Sequence, residues 1–582
     1  MIKKILITAV LLTTLLFGCK KDGGVGPQQG KDDAAFAVYE NSYLEALWKV
    51  DPGQATILGY HKYDSLLVVP DDKSRDKLIN YAKVQLDSLA RFDVTILNDA
   101  NKIDYHIMQN QAEMMEWKIQ QLKQCQWDPT LYNVTGTFAY IVNEPYAPLA
   151  KRLQNFYEKM ASIPAYFKEA EKQVKNPVAE LTSLAASQLT AGTSVFEKDF
   201  ADSLKKSNIP QAGQKQMLDR AHSSAETIKA FAEWLTALKN DKPRSFRLGK
   251  ELYDAKFKYE VQAELGAQQL YNAAVERKKY IHREMAKISK KLWPKYFGTK
   301  NMPVDSLELI ARVIDTLSSK HAQPDEFQQA IESELPKLIS FIKTKDLLTL
   351  DLSKPLIVRK EPGYMAGVAG ASESSPGPYD KNGNSYFNVG NLNGAEYNQY
   401  ILQILCIHEG IPGHYVQQTY ANKSPSLIKS IFGNNAMIEG WAVYGEEMML
   451  DNGFGNEAPE MRLMWYKWHL RSVCNTILDY GVHTQNMSKQ DGLKLLVHEA
   501  FQQGAEAEGK WKRVTVSSVQ LDSYFAGYKE ITNLREAYKK KMGDKYKLKD
   551  FNEKFLSYGS APVKDIKEAM LAKGSGSSSS GG

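Results

Sequence analysis

One stretch restricts this chain more than any other: residues 398–420, NQYILQILCIHEGIPGHYVQQTY. Its apolar positions Ile401, Leu402, Ile404, Leu405 and Ile407 recur at helical spacing and predict a buried helix. The same run carries His408-Glu409 and then, beyond Gly410-Ile411-Pro412-Gly413, a second histidine, His414. Two imidazoles and a carboxylate in a buried helix must each be paired or ligated, because an unpartnered polar group in apolar surroundings is costly.

The spacing H-E-x-x-H puts two histidines on one helical face for zinc; here the spacing is H-E-x-x-x-x-H. Six residues at about 100° each leave His414 roughly 120° off the His408 face, so a regular helix cannot aim both rings at one ion. Pro412 lacks the N–H that would bond the His408 carbonyl, and its ring clashes with that carbonyl. Gly410 and Gly413 accept backbone angles that other residues resist. The expectation is a bulge or kink that absorbs two extra residues and returns His414 toward His408. The alternative is a broken core helix with two incidentally buried histidines.

A third ligand is expected nearby. Residues 434–450, NNAMIEGWAVYGEEMML, read as a second amphipathic helix, with Glu439 preceded by apolar Met437-Ile438. Glu439 follows His414 by 25 residues, far enough for a loop to turn the chain into an antiparallel neighbour. Two histidines, one carboxylate and an open fourth position make a catalytic rather than a structural zinc site. Glu446, two turns further along the same face, is placed to orient a ligand histidine.

The strings HEGIPGHYVQ and EGWAVYGEEM resemble the bacterial domain-of-unknown-function 885 family, which carries H-E-x-x-P-G-H-x-x-Q and then E-G-W-A-x-Y. The resemblance runs from about Phe36 to Leu571. It implies a branch of the glutamate-ligand zinc peptidases (gluzincins), comparable to the helical angiotensin-converting-enzyme and oligopeptidase folds. It implies Zn2+ at His408, His414 and Glu439, with Glu409 as catalytic base. The fold class it suggests is mainly α, a large two-lobed helical zinc-peptidase-like fold with a deep cleft and a small β-element beside the metal helices. The family's arginine followed by D-x-G-x-H is loosely matched by Arg471 and Asp479-Tyr480-Gly481-Val482-His483, which makes His483 a candidate hydrogen-bond donor to a substrate carbonyl. Its C-terminal tyrosine-glycine-leucine-arginine element is matched by residues 523–528, SYFAGY, and Leu534-Arg535, although the usual Pro-Gly-Gln is replaced near Val519-Gln520-Leu521. Tyr524 is the favoured oxyanion donor.

At the N-terminus, Lys3 and Lys4 precede an apolar run from Ile5 to Phe17, too short to span a bilayer permanently and suited to a secretory signal. Leu16-Phe17-Gly18-Cys19 looks like a bacterial lipoprotein signal, with Cys19 the lipid-bearing residue of an exported periplasmic or cell-surface protein. The expected organisation is a signal peptide over 1–18, a flexible tether over 19–33, a helical region over 34–350, a metal-site region over 351–572 and a linker-like tail over 573–582. The membrane is expected as a partner through this lipid alone. A net charge of +6 over 582 residues is mild and argues against nucleic acid, whose binders concentrate positive charge.

Helical periodicity fills Phe36 to about Leu350, with candidate helices at Asp76–Ala90, Lys102–Gln124, Gln214–Lys239, Asp254–Leu292 and Asp325–Thr344. Pro294 is among the expected stops. Leu356–Lys360 and Ser385–Val389 are the clearest strands, separated by a Gly-, Ser- and Pro-rich loop of the kind that carries function. The strand Ser385–Val389 is expected to offer its edge to an extended peptide, with Asn388 and Tyr386 meeting the substrate. The function expected is a zinc-dependent metallopeptidase acting on peptides. A non-catalytic zinc-containing peptide- or glycan-binding lipoprotein and a zinc hydrolase of non-peptide amides or esters remain alternatives. Endo- and exopeptidase action are not separated: Arg359, Lys360, Arg471 and Arg535 are all candidate anchors for a charged chain end.

Overall fold

The computed structural model describes residues 27–361, 370–380, 383–390, 392 and 396–572. Cys19 and the signal stretch lie outside the described residues. The described residues are mainly helical, 71% helix and 3% strand, as the periodicity predicts.

Helix starts follow capping chemistry. Asp51 ends the opening helix Pro27–Val50 and caps the next, Pro52–Ile57, by accepting from the Gln54 amide at 3.0 Å. The opening helix begins at Pro27, so residues 27–33 of the expected tether are helical instead. The expected single helix Asp254–Leu292 is two, Lys250–Glu260 and Ala267–Phe297, because Gln262 turns left-handed at φ 55° between them. Pro294 does not end the second of these. It sits in the last turn, where the Gly298 N–H still donates to its carbonyl at 3.1 Å.

Two hydrophobic cores result. The larger draws buried side chains from Phe36 to Met570, including Trp48, Trp441 and Trp465. The smaller is confined to Tyr132–Leu235 and is built around Phe138, Phe156, Phe196 and Phe200. The larger core therefore crosses the expected boundary at residue 350. Helix Ala267–Phe297 lies along Pro459–Thr484, tying the first half of the chain to the metal region. Burying rings of this size contributes about 2–3 kcal/mol each, so the packing of both halves holds the site in place.

Three short strands form one sheet: β1 (Ile357–Lys360), β2 (Ala371–Ser374) and β3 (Tyr386–Val389), in the order β1-β3-β2. β1 pairs parallel with β3, Ile357 opposite Tyr386; β2 pairs antiparallel, Ala371 opposite Val389. The strand expected at the edge, β3, is thus the centre. The edge facing the metal helices is β2, a piece of the expected loop. Its sequence, ASES, has no β-branched or aromatic residue, so long-range pairing rather than local propensity makes it a strand.

Candidate metal centre

Both helices that carry the motif start on buried asparagine caps. Asn398 accepts from the amides of Tyr400 and Ile401 at 3.1 and 3.3 Å, starting helix Gln399–Leu405. Asn434 accepts from Met437 N at 2.8 Å to start helix Asn435–Asp451, and its Nδ2 donates to the Val261 carbonyl.

The predicted interruption is then built in steps. After Leu405 the helix widens into a π-turn, Cys406–Gly410, closed by Ile411 N donating to Cys406 O at 3.1 Å. Ile411 is extended, the Ile411–Pro412 peptide is cis, and Gly413 N donates to Ile407 O at 2.9 Å. His414 then opens a new helix, His414–Ala421. Gly413 is required here: a Cβ would stand 1.8 Å from the His408 carbonyl oxygen. Trp441 Nε1 donates to the Pro412 carbonyl at 2.8 Å, clamping this turn to the Glu439 helix.

The two imidazoles meet nearly perpendicular, with ring centroids 4.8 Å apart and an interplanar angle of 86°. Glu439 Oε2 lies 3.6 Å from His408 Nε2 and 3.4 Å from His414 Nε2. That oxygen is buried and makes no hydrogen bond. Three ligand-type atoms, N, N and O, converge without satisfying one another, which is the donor set and spacing that a zinc ion fits. Electrostatics agree. Burial pushes His408 down, but facing Glu439 and bonding Glu446 outweigh it and raise the imidazole to about 10. His414 is raised in the same way, and Glu439 is held below the usual carboxylate range because the two imidazoles outweigh its burial. The site favours positive charge at its centre.

Glu446 stands where the sequence puts it. His408 Nδ1 donates to its Oε1 at 2.7 Å, and Trp468 Nε1 donates to the same oxygen at 3.0 Å. This bond turns His408 Nε2 toward Glu439. Glu409 also brings a carboxylate oxygen within 4.8 Å of both imidazoles, so distance alone leaves it a possible ligand. Its Oε2, however, accepts from the Glu373 amide of β2 at 3.0 Å, whereas Glu439 Oε2 is free. Glu439 is thus the carboxylate left without a partner between the imidazoles, and Glu409 stands beside it.

Tyr524 comes to the same place. Its ring lies parallel to His408 within 19°, centroids 6.5 Å apart, and burial followed by the Glu439 charge pushes its phenol up. Its helix, Ser523–Met542, crosses the Glu439 helix at two glycines. A Cβ on Gly440 would sit 2.3 Å from Gly527 C, and one on Gly527 would sit 1.6 Å from Ala436 O. A cavity of about 170 Å3 adjoins these groups, and His408, Glu409, Tyr524, Arg471, Asn475 and Arg513 are among its walls. A larger groove of about 730 Å3, walled by Ser183, Ala186 and Leu235, holds none of the site residues.

Three expected residues are not brought here. His483 is buried with Nε2 donating to the carbonyls of Val514 and Ser517, both at 3.0 Å, and its ring stacks on Tyr253. It pins helix ends together and does not line the cavity. Asn388 is consumed within the sheet: Nδ2 donates to Ser374 Oγ at 3.0 Å, and Oδ1 accepts from Arg359 Nε at 2.7 Å. Tyr386 lies under the Arg359 guanidinium at 3.6 Å. Conversely, β2, Asn475 and Arg513 were not singled out in the sequence. None of the three carried a local signal: β2 is a short polar piece of a Gly-, Ser- and Pro-rich loop, and the other two are isolated polar residues on helices.

Residues 52–570 match the family model described as a bacterial protein of unknown function (DUF885), and the chain belongs to that family. A solved structure from Shewanella oneidensis, described as "a putative lipoprotein of unknown function", is 46% identical, with a TM-score of 0.84 over 92% of this chain and 99% of its own. A second, "the putative lipoprotein from Colwellia psychrerythraea", shares the fold at 15% identity, with a TM-score of 0.74 over 93% of this chain and 98% of its own. No curated protein matches the chain.

Proposed function

We propose that this member of the DUF885 family is a zinc-dependent metallopeptidase of the gluzincin type, exported and held at a membrane by a lipid on Cys19. The observation that carries the reading is the buried Glu439 Oε2, which lies between His408 Nε2 and His414 Nε2 and accepts no hydrogen bond. A purely structural site has no use for a base, and Glu409 adjoins this one with its carboxylate aimed by β2.

Zinc held by His408, His414 and Glu439 would supply the positive charge that acidifies water and polarises a carbonyl. The remaining work falls to the chain. Glu409 accepts a proton from water attacking the peptide carbonyl and delivers it to the leaving amine. Glu373 N–H, by holding Oε2, fixes the direction of that carboxylate. β2 has one side on β3, and Gly370 and Ala371 lie in the cavity wall, so an extended peptide pairs along the start of its outer edge, beside the Glu373 N–H that holds Glu409. Tyr524 donates its phenolic proton as a hydrogen bond to the developing oxyanion. Glu446 keeps His408 in the tautomer whose Nε2 is free.

Support for the lipid anchor comes from the Leu16-Phe17-Gly18-Cys19 signal and from the lipoprotein description of the 46%-identical structure from Shewanella oneidensis. The test is cleavage of a mixed peptide library by wild type and Glu409→Gln, both loaded with zinc. Cleavage by wild type that disappears in the variant is expected. Equal cleavage by both would remove Glu409 as the base, and none by wild type would favour a zinc-containing binding protein or a hydrolase of other amides or esters.

A further inference from the structure

The peptidase reading leaves open which part of a peptide this site reads, and the four candidate anchors can now be separated. Arg359 is stacked on Tyr386 and bonded to Asn388 within the sheet. Arg535 lies over Tyr444 and pairs with Glu536, while Lys360 ends β1 facing outward. Of the four, only Arg471 lines the cavity beside Glu409, and Arg513 joins it there.

Arg471 is held rigidly. Its guanidinium lies 4.3 Å above the Trp468 ring, and Nη2 forms an ion pair with Glu506 at 2.8 Å. Nη1 is buried, 3.6 Å from Glu396, and makes no hydrogen bond. One turn later, Asn475 is only 3% exposed, and its Oδ1 is likewise unpartnered. That oxygen is an acceptor, so the partner it calls for is a donor, such as the N–H of a bound peptide, and not a carboxylate. Local charge does not cancel either. Apart from Glu409, which sits with the histidines, Lys467, Arg471 and Arg513 are set against Glu396 and Glu506, three cations against two carboxylates, while burial holds the Lys510 ammonium down. A cavity of about 170 Å3 is also small, since about 150 Å3 takes one benzene ring.

We infer that this cavity takes the last residue of a peptide, its free α-carboxylate bound by Arg471 and Arg513, so that the protein acts as a carboxypeptidase. The inference rests on the peptidase reading. A guanidinium fork matches a carboxylate in plane and charge, which an internal peptide carbonyl cannot exploit. Hydrolysis breaks the C–N bond to the terminal residue. The hydroxyl of water goes to the carbonyl carbon, its proton goes to the amine, and one free amino acid leaves.

The test uses full-length Glu409→Gln protein, which binds without turnover, titrated with dansyl-Gly-Gly-Phe as the free acid and as its C-terminal amide. The acid is expected to bind about 10- to 100-fold more tightly, the value of one charge-assisted hydrogen-bonded contact. Adding Arg513→Gln, or Arg471→Lys where Glu396 and Glu506 need a cation for folding, should shrink that ratio about tenfold. Equal affinities, or a ratio unmoved by both changes, overturn the inference. Wild type given the same two peptides reports separately. Release of phenylalanine from the acid alone supports carboxypeptidase action, and internal cleavage of both at equal rates overturns it while leaving the peptidase reading intact. Cleavage of neither by zinc-loaded protein would remove the peptidase reading and the carboxypeptidase assignment with it.

Discussion

Glu446 gives the sharpest mutational test of how the ligands are held. Its Oε1 accepts two bonds, from His408 Nδ1 at 2.7 Å and Trp468 Nε1 at 3.0 Å, in a fully buried position. Glu446→Gln keeps an oxygen acceptor for both donors and loses only charge. Glu446→Ala leaves both donors buried and unpartnered, at about 1–3 kcal/mol each, and frees the His408 ring to rotate. Loss of such a supporting partner lowers metal affinity about 10- to 100-fold, or about 1.4–2.8 kcal/mol. We expect Gln near the lower figure and Ala near or beyond the upper. The assay is competition for zinc against a chelating dye, with thermal unfolding run with and without metal. Zinc at about 100 times its Kd should stabilise wild type by about 2.7 kcal/mol, and a tenfold weaker variant by about 1.4 kcal/mol. An Ala variant that binds zinc within twofold of wild type would refute the role given to Glu446.

Further outcomes follow from the geometry. Gly527→Ala places a methyl 1.6 Å from the Ala436 carbonyl, so the Tyr524 and Glu439 helices must part; a loss of about 1–3 kcal/mol or more in urea unfolding is expected. Gly413→Ala, 1.8 Å from His408 O, should abolish zinc uptake, read by metal content. Tyr524→Phe removes one oxyanion donor and should lower kcat about 100-fold with metal content unchanged. Lys510 is pushed down to about 7, first by burial and then by Arg471, against the pull of Glu506. Its unfolded value lies near 10.5, so the unfolded chain binds more protons between those limits, and this group makes folding more favourable as pH rises from about 7 to about 10.5. Lys510→Met should therefore gain most over wild type below pH 7 and lose that advantage toward pH 10.5; a difference flat with pH would contradict it.

Residues whose role follows from local spacing were legible in the sequence. The period of Ile401–Ile407 gave a buried helix, and the chemistry of Pro412 and the flanking glycines required the bulge that returns His414 to His408. Glu446 was readable because seven residues from Glu439 is two turns on one face. What depended on distant packing was not legible. β2 is polar and short, and it exists because β3 pairs with it. Asn388 and His483 were polar residues in suggestive places, but the fold spends Asn388 on the sheet and His483 on the Val514 and Ser517 carbonyls. Arg513 and Asn475 reach the cavity only through the packing of helices Gly504–Val516 and Pro459–Thr484, which no local pattern encodes.

The most direct measurement is the metal content of purified protein for wild type, Glu409→Gln, His414→Ala and Glu439→Ala, by elemental mass spectrometry after equilibration with zinc. The account predicts one zinc per chain in wild type and in Glu409→Gln, and loss of it in the other two. Zinc retained in Glu439→Ala but lost in Glu409→Gln would exchange the two carboxylates' roles, and a wild type without zinc would contradict the metal centre itself.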